Sequence, residues 1–357
     1  MSPFKIDLSS KIPRLKELVR NTRLPAKALY PDAGPGKGIE LEFLRELQTE
    51  WVESFDWEAQ QAELNHFAQY TAIIEGQTVH FIHEKSEDAD AIPVILLHGW
   101  PGSFHEFTPV IKPLTQSWKS ATGKEVSYNV IVPSLPGFVF SSAPPANWTV
   151  KDTARIYNIL MTDVLGYSTY SVHGTDWGSV VGYSLYNSFN KTVRAAHFDF
   201  LPFFPPSVED IAEKNITLSD SQKVTGQRVL DWVATGTGYL VEQTNKPNDI
   251  GLALYDNPVG QLAWIAGNIK LWSDPRAGTP PSNPNSVGPV YTKADTDAPI
   301  LFTQYKYNVG MWPQECVAKV GNLVSYKEHD FGGHFAGLDN PPALIEDIRE
   351  MGLYFNA

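Results

Sequence analysis

The spacing of hydrophobic and polar positions changes character near residue 90. Before that point the run "SSKIPRLKELVRN" and the stretch "ELEFLRELQTEWVESF" place apolar residues three and four apart, which predicts two amphipathic helices joined by the Pro- and Gly-rich "LYPDAGPGKG". Two strand-like runs follow, "AQYTAIIEG" and "QTVHFIHEK", meeting at a Glu75-Gly76 turn. From residue 91 the pattern becomes strands alternating with helices. "IPVILLHG" is continuously apolar, as expected of a strand buried on both faces of a parallel sheet, and "YNVIVPSLPG", "TYSVHG", "RAAHFDF" and "APILFTQY" repeat the style. The prediction is an α/β core, a mostly parallel sheet flanked by helices. Residues 203–298 are rich in aromatics and in helix-compatible stretches such as "LSDSQKVTGQRVLDWVATG", and an insertion between core strands suits a lid over the carboxyl ends of the sheet. Within it, 273–289 reads as loop. The expected organisation is an N-terminal extension (1–90) packing on the core, core (91–202), lid (203–298) and core again (299–357).

Composition narrows the functional classes. A chain of 357 residues with 42% hydrophobic and 19% charged residues can bury a large core, and a formal net charge of -12 without a basic stripe opposes binding to phosphate backbones. Nucleic acid is not an expected partner. The single cysteine, Cys316, rules out an internal disulfide and suits a reducing compartment. The start, "MSPFKIDLSSKIPRLKELVR", lacks the apolar run of a signal peptide, and no later stretch matches a membrane span, so the expectation is a soluble, cytoplasmic protein without a membrane anchor. No cofactor and no metal are expected. His80 and His83 alternate along a strand-like run and could imitate a metal pair, but nothing else in the sequence completes a ligand set. Composition leaves a homodimer open.

Three motifs concentrate the candidate chemistry. In "HGTDWGSVVG" an aspartate, Asp176, occupies the tip of a strand-to-helix turn where the G-x-S-x-G elbow presents a serine. An ordinary aspartate at a helix start would merely complement the dipole, so the turn needs company to mean chemistry. "HGWPGS" directly follows the first strongly apolar strand, where a backbone amide can pair with the amide after the elbow residue as an oxyanion hole; this nominates Trp100 and Trp177. "GGHFAGLDNPPALIEDI" supplies a late histidine, His334, in a Gly-rich loop, in the order expected of a nucleophile followed by its base.

Together with "SLPGF", "GYLVEQTNKPNDIGLALYDNPVG" and the stretch "FDWEAQQAELNHFAQYTAIIEGQTVHFIHEKSEDADAIPVILLHGWPGSFHEF", these motifs resemble the epoxide hydrolase branch of the α/β-hydrolase superfamily, of the microsomal and juvenile-hormone type with its soluble fungal relatives. The resemblance spans nearly the whole chain and implies an α/β-hydrolase fold. It also implies a hydrophobic epoxide and water as reactants, a covalent Asp176 ester, ring-opening protons from lid tyrosines matching Tyr239 and Tyr291, and water activated by His334. One position departs from the pattern. The acid that orients the histidine falls on Asn308, and Asp199, at the end of "AAHFDF", is the expected replacement; Glu315 and Asp330 have no local context aiming them at His334. Two alternatives stand beside this reading. One is a haloalkane dehalogenase-like hydrolase, which would need halide donors and no acidic tyrosine; the other is a diverged member that binds or cyclises a hydrophobic metabolite.

Overall fold

The computed structural model describes residues 1–31, 37–203, 205–277 and 291–355. Its strands are β1 (Ser2–Phe4), β2 (Gln69–Ile74), β3 (Gln77–Glu84), β4 (Ile92–Leu97), β5 (Trp118–Lys119), β6 (Glu125–Val126), β7 (Tyr128–Pro133), β8 (Tyr170–Gly174), β9 (Val193–Phe198), β10 (Pro299–Tyr307) and β11 (Asn322–Gly333). Nine of them form one sheet in the order β1-β2-β3-β7-β4-β8-β9-β10-β11, while β5 and β6 pair as a small ribbon. Pairing is antiparallel from β1 to β7 and parallel from β7 to β11. The β2–β3 hairpin turns through Glu75 and Gly76, both at positive φ (49° and 80°), the geometry whose twist matches the strands it joins. These two strands belong to the sheet, so the expected boundary at residue 90 cuts through the core; the part outside it is helical.

Alternation along the strands explains the apolar runs. In β4, Ile95 and Leu97 pack with Tyr157, Leu185 and Tyr186 on one face, and Val94 and Leu96 pack with Val110, Leu114, Leu344 and Ile348 on the other. Each fully buried Leu, Ile or Val side chain is worth ~1.5–3 kcal/mol, and both faces are used. The helices of the extension are α1 (Ile12–Asn21), α2 (Leu41–Glu53) and α3 (Trp57–Leu64), and those of the first core part are α4 (Thr108–Thr115), α5 (Val150–Ile159) and α6 (Asp176–Ser188). The insertion between β9 and β10, expected to act as the lid, holds α7 (Val208–Glu213), α8 (Asp220–Thr235), α9 (Gly238–Asn245), α10 (Pro247–Leu254) and α11 (Pro258–Trp272); α12 (Gln314–Val317), α13 (Ala336–Asp339) and α14 (Pro341–Tyr354) close the core. In α8 the N-terminus is fixed by reciprocal bonds between Ser219 and Gln222, as "LSDSQ" suggests. The N-terminal helices pack on this insertion: Val19 of α1 and Leu44 of α2 bury against Val259 of α11. Most of the expected loop at 273–289 lies outside the described residues.

Candidate active site

Strand β8 ends at Gly174 and α6 begins at Asp176, so only Thr175 separates them. Asp176 sits at φ 47°, a left-handed conformation that costs a non-glycine residue about 1–3 kcal/mol and turns the side chain out above the sheet. Gly178 is needed for close approach, because a Cβ there would lie 1.9 Å from the Leu97 carbonyl oxygen. The Trp100 N–H donates to Asp176 Oδ1 at 2.7 Å, and His334 Nε2 lies 3.4 Å from Asp176 Oδ2. Trp177 is in the first turn of α6, where amides have no acceptor within the helix. The structure thus brings Asp176, His334 and the Trp100 and Trp177 backbones to one place.

The far side of the histidine ring meets Asn308. His334 Nδ1 is 3.0 Å from Asn308 Oδ1, which also accepts the Val309 N–H at 2.7 Å, while Asn308 Nδ2 donates to the Asp199 carbonyl at 2.7 Å. These partners fix the amide orientation: a peptide N–H can only donate, so the oxygen faces Val309 and the histidine. Nδ1 therefore donates to Asn308, and Nε2 is the nitrogen turned toward Asp176. Nε2 lies 3.4 Å from Asp176 Oδ2 and makes no hydrogen bond within the protein, which leaves it available to a water O–H.

Asp199, expected to orient the histidine, does not contact it. Asn308 occupies that position, and both Asp199 carboxylate oxygens are buried without a hydrogen bond. Burial pushes the Asp199 carboxyl up to about 8 and the charges of Asp347 and Asp176 add to the rise; the nearby Thr175 hydroxyl pulls it down but is turned toward the His334 carbonyl, at 3.4 Å. Since the folded value exceeds that of the unfolded chain, the folded protein holds a proton the unfolded one has released, and this group lowers stability as pH rises from about 4 to about 8. Asp199→Asn is accordingly expected to raise the Tm on the order of a few degrees at pH 8 and by less at pH 5, measured by thermal unfolding at both. A loss of stability at pH 8 would show that the carboxylate has a partner.

Above Asp176 lies a chamber of about 340 Å³ walled by Phe200, Phe203, Trp232, Leu240 and Trp312, with Tyr239 at its side. Tyr239 stacks face to face on Trp100, centroids 4.6 Å apart and planes 8° apart, which holds its phenol over the elbow. Burial, then the Asp176 charge, pushes this phenol up, so it remains protonated at neutral pH. Tyr291 is one ring removed: it stacks on Phe203 at 5.6 Å and does not line the chamber, so the geometry does not place it as a second acid. Glu315 is exposed, and Asp330 pairs with Arg276 and Lys306, so neither meets His334. A larger hollow of about 700 Å³ beside Lys293, Asp295 and Asp297 lies at the start of β10 and contains none of these groups. His80 and His83 bond to Ser134, Gln69 and Tyr167, and no metal-binding grouping occurs among the described residues.

Sequence reasoning missed the setting of the histidine. Its ring lies against Phe200, Trp272 and Phe335, at centroid distances of 5.7, 5.4 and 5.1 Å. The Gly332-Gly333 pair was the available signal, since two adjacent glycines before a candidate base imply a backbone in close contact with something.

A parallel sheet with a carboxylate on its strand-to-helix elbow, an amide donor after the preceding strand and a histidine from the last strand-to-helix loop defines an α/β-hydrolase with aspartate in the elbow position. Comparison with known proteins agrees. Residues 1–107 match the epoxide hydrolase N-terminus family and residues 92–232 the α/β-hydrolase fold family. The solved epoxide hydrolase of Aspergillus niger is 30% identical, with 98% of this chain and 95% of that one covered and a TM-score of 0.81. Epoxide hydrolase 1 of Sus scrofa is 28% identical over 98% of this chain and 88% of its own length. The juvenile hormone epoxide hydrolase of the silkworm Bombyx mori, at 22% identity and a TM-score of 0.80, shares the fold over 98% of this chain and 93% of that one. The chain belongs to the epoxide hydrolase family, enzymes that add water to an epoxide. Among the described residues no helix is long and apolar enough to cross a membrane.

Proposed function

We propose that this enzyme converts a hydrophobic epoxide to a vicinal diol through an ester on Asp176. The observation that supports it most is the carboxylate on the elbow, hydrogen-bonded at 2.7 Å to Trp100 N–H and 3.4 Å from a histidine nitrogen without a partner. A carboxylate can attack an sp³ ring carbon without first losing a proton. Ring opening generates an alkoxide, and Tyr239, held protonated over the elbow, donates to it. His334 Nε2 then takes a proton from water that attacks the ester carbonyl, and the Trp100 and Trp177 amides receive the tetrahedral oxyanion. The apolar walls of the chamber favour a lipophilic substrate.

A single turnover in heavy-oxygen water tests the route, using a panel that includes styrene oxide and 1,2-epoxyoctane. The peptide containing Asp176 should gain one heavy oxygen while the first diol stays unlabelled; a labelled first diol with unlabelled protein would exclude the ester. Tyr239→Phe is expected to slow ester formation about 10²-fold and leave ester hydrolysis unaffected, measured by rapid quench. Equal slowing of both steps would remove Tyr239 from the acid role.

A further inference from the structure

The loop that presents His334 is tied to the exit of the lid rather than to the sheet alone. The last helical carbonyl of α11, Trp272 O, accepts the His334 N–H at 2.9 Å, which satisfies one of the acceptors a helix C-terminus leaves open. Two residues on, Asp274 Oδ2 accepts the Gly332 N–H at 2.8 Å. Between them, Gly333 N–H donates to Asp339 Oδ2 at 2.9 Å, and the same oxygen accepts the Asp274 N–H at 3.0 Å. Three consecutive amides, including that of the histidine, are thus held by this arrangement. The contact leaves no room for a side chain: a Cβ on Gly333 would lie 2.5 Å from Trp272 O and 2.9 Å from Asp274 N. Asp274 is fully buried, and its carboxylate is fastened by Arg276, whose N–H, Nε and Nη2 donate at 2.8, 3.0 and 2.8 Å; Arg276 in turn reaches Asp330 Oδ2 at 3.0 Å. Every oxygen of Asp274 is therefore used, and no bond of the cluster goes to the reacting atoms.

We infer that Asp274, locked by Arg276, is a positioning residue for His334: through the Gly332 amide it fixes the height of the histidine over the Asp176 ester. This rests on reading His334 as the base that drives ester hydrolysis. The nucleophile is held by different bonds, from Trp100 and the elbow, so the two half-reactions depend on Asp274 unequally. Burial would raise the Asp274 carboxyl, but the bonds from Arg276 and from the Gly332 and Arg276 amides outweigh it and hold the group below the ordinary range, in keeping with a charged lock.

The test uses the full chain and, from the panel above, the epoxide opened fastest. In Asp274→Ala, kcat should fall ~10–100-fold, the scale of a displacement of about 1 Å at a reacting group, while kcat/KM, set by ester formation, stays within about threefold and the ester appears as added mass on the intact protein. Asp274→Asn retains an acceptor for Gly332 and should recover most of the loss. Arg276→Met, at a half-exposed site with little folding risk, should show the same pattern at ~3–10-fold. A merely structural role predicts equal losses in kcat and kcat/KM; that result, or no change in either, would overturn the inference. His334→Ala separates the two levels: ester trapped there but absent from Asp274→Ala sinks only the Asp274 assignment, and no ester in either sinks the reading of His334 as well.

Discussion

Asp176→Asn is expected to reduce diol formation more than 10⁴-fold, to the uncatalysed background, with no added mass on the protein after exposure to the epoxide. An amide oxygen is a far weaker nucleophile than a carboxylate, and among the described residues lining the chamber Asp176 is the only carboxylate; the Trp100 N–H donates to it and His334 Nε2 faces its second oxygen. Asparagine is nearly isosteric and keeps an acceptor for Trp100, and the side chain is partly exposed, so the variant should fold with an unchanged Tm. The assay is diol formation by chromatography together with intact mass. Residual activity of even one part in a hundred would mean that water attacks the epoxide directly and that Asp176 only orients it.

The second large effect is a gain. In Asn308→Asp, hydrolysis of the ester is expected to accelerate ~10²–10³-fold, read as a faster second phase in single-turnover quench experiments and a smaller standing population of ester. Asn308 sets the tautomer of His334 through Oδ1, but it offers no charge to the imidazolium that forms when the ring takes a proton from water. In a serine triad an asparagine in place of the acid costs about 10⁴-fold because it imposes the wrong tautomer, a defect Asn308 avoids, so that figure is an upper bound here. Less than that should be recovered here, because the new carboxylate would lose the bond that Asn308 Nδ2 makes to the Asp199 carbonyl and would lie near the buried Asp199 carboxyl. Adding Asp199→Asn should therefore enlarge the gain. An unchanged or slower second phase would show that charge on the histidine does not limit this enzyme.

What the sequence disclosed and what it hid divide along a physical line. Strand β4 was legible because burial on both faces makes a continuous apolar run, and Asp176 because the elbow compresses its geometry into five adjacent residues with glycines where neither neighbour tolerates a Cβ. The β2–β3 hairpin was visible, yet its membership in the sheet was not, since pairing with β7 is a contact between segments some fifty residues apart. The orienting partner of His334 failed for a similar reason. Asp199 ends the right strand, but which of two strand-end side chains reaches a ring 26 or more residues away depends on rotamers and on Asn308 filling the space first. Tyr239 was found through family likeness and is held by its stack on Trp100, whereas Tyr291 matched a pattern but packs behind Phe203.

The contacts of α11 have a practical corollary. At one end Val259 seats against Val19 and Leu44, along its length Lys270 Nζ reaches Glu40 at 2.7 Å and lies 4.0 Å from the Phe43 ring, and at its other end its final carbonyl grips the histidine backbone. Exchanging lids between relatives to alter selectivity would therefore fail if only the inserted segment were transplanted. A working chimera must import α1 and α2 from the same donor, because those two helices are the other half of the strut on which the base is mounted.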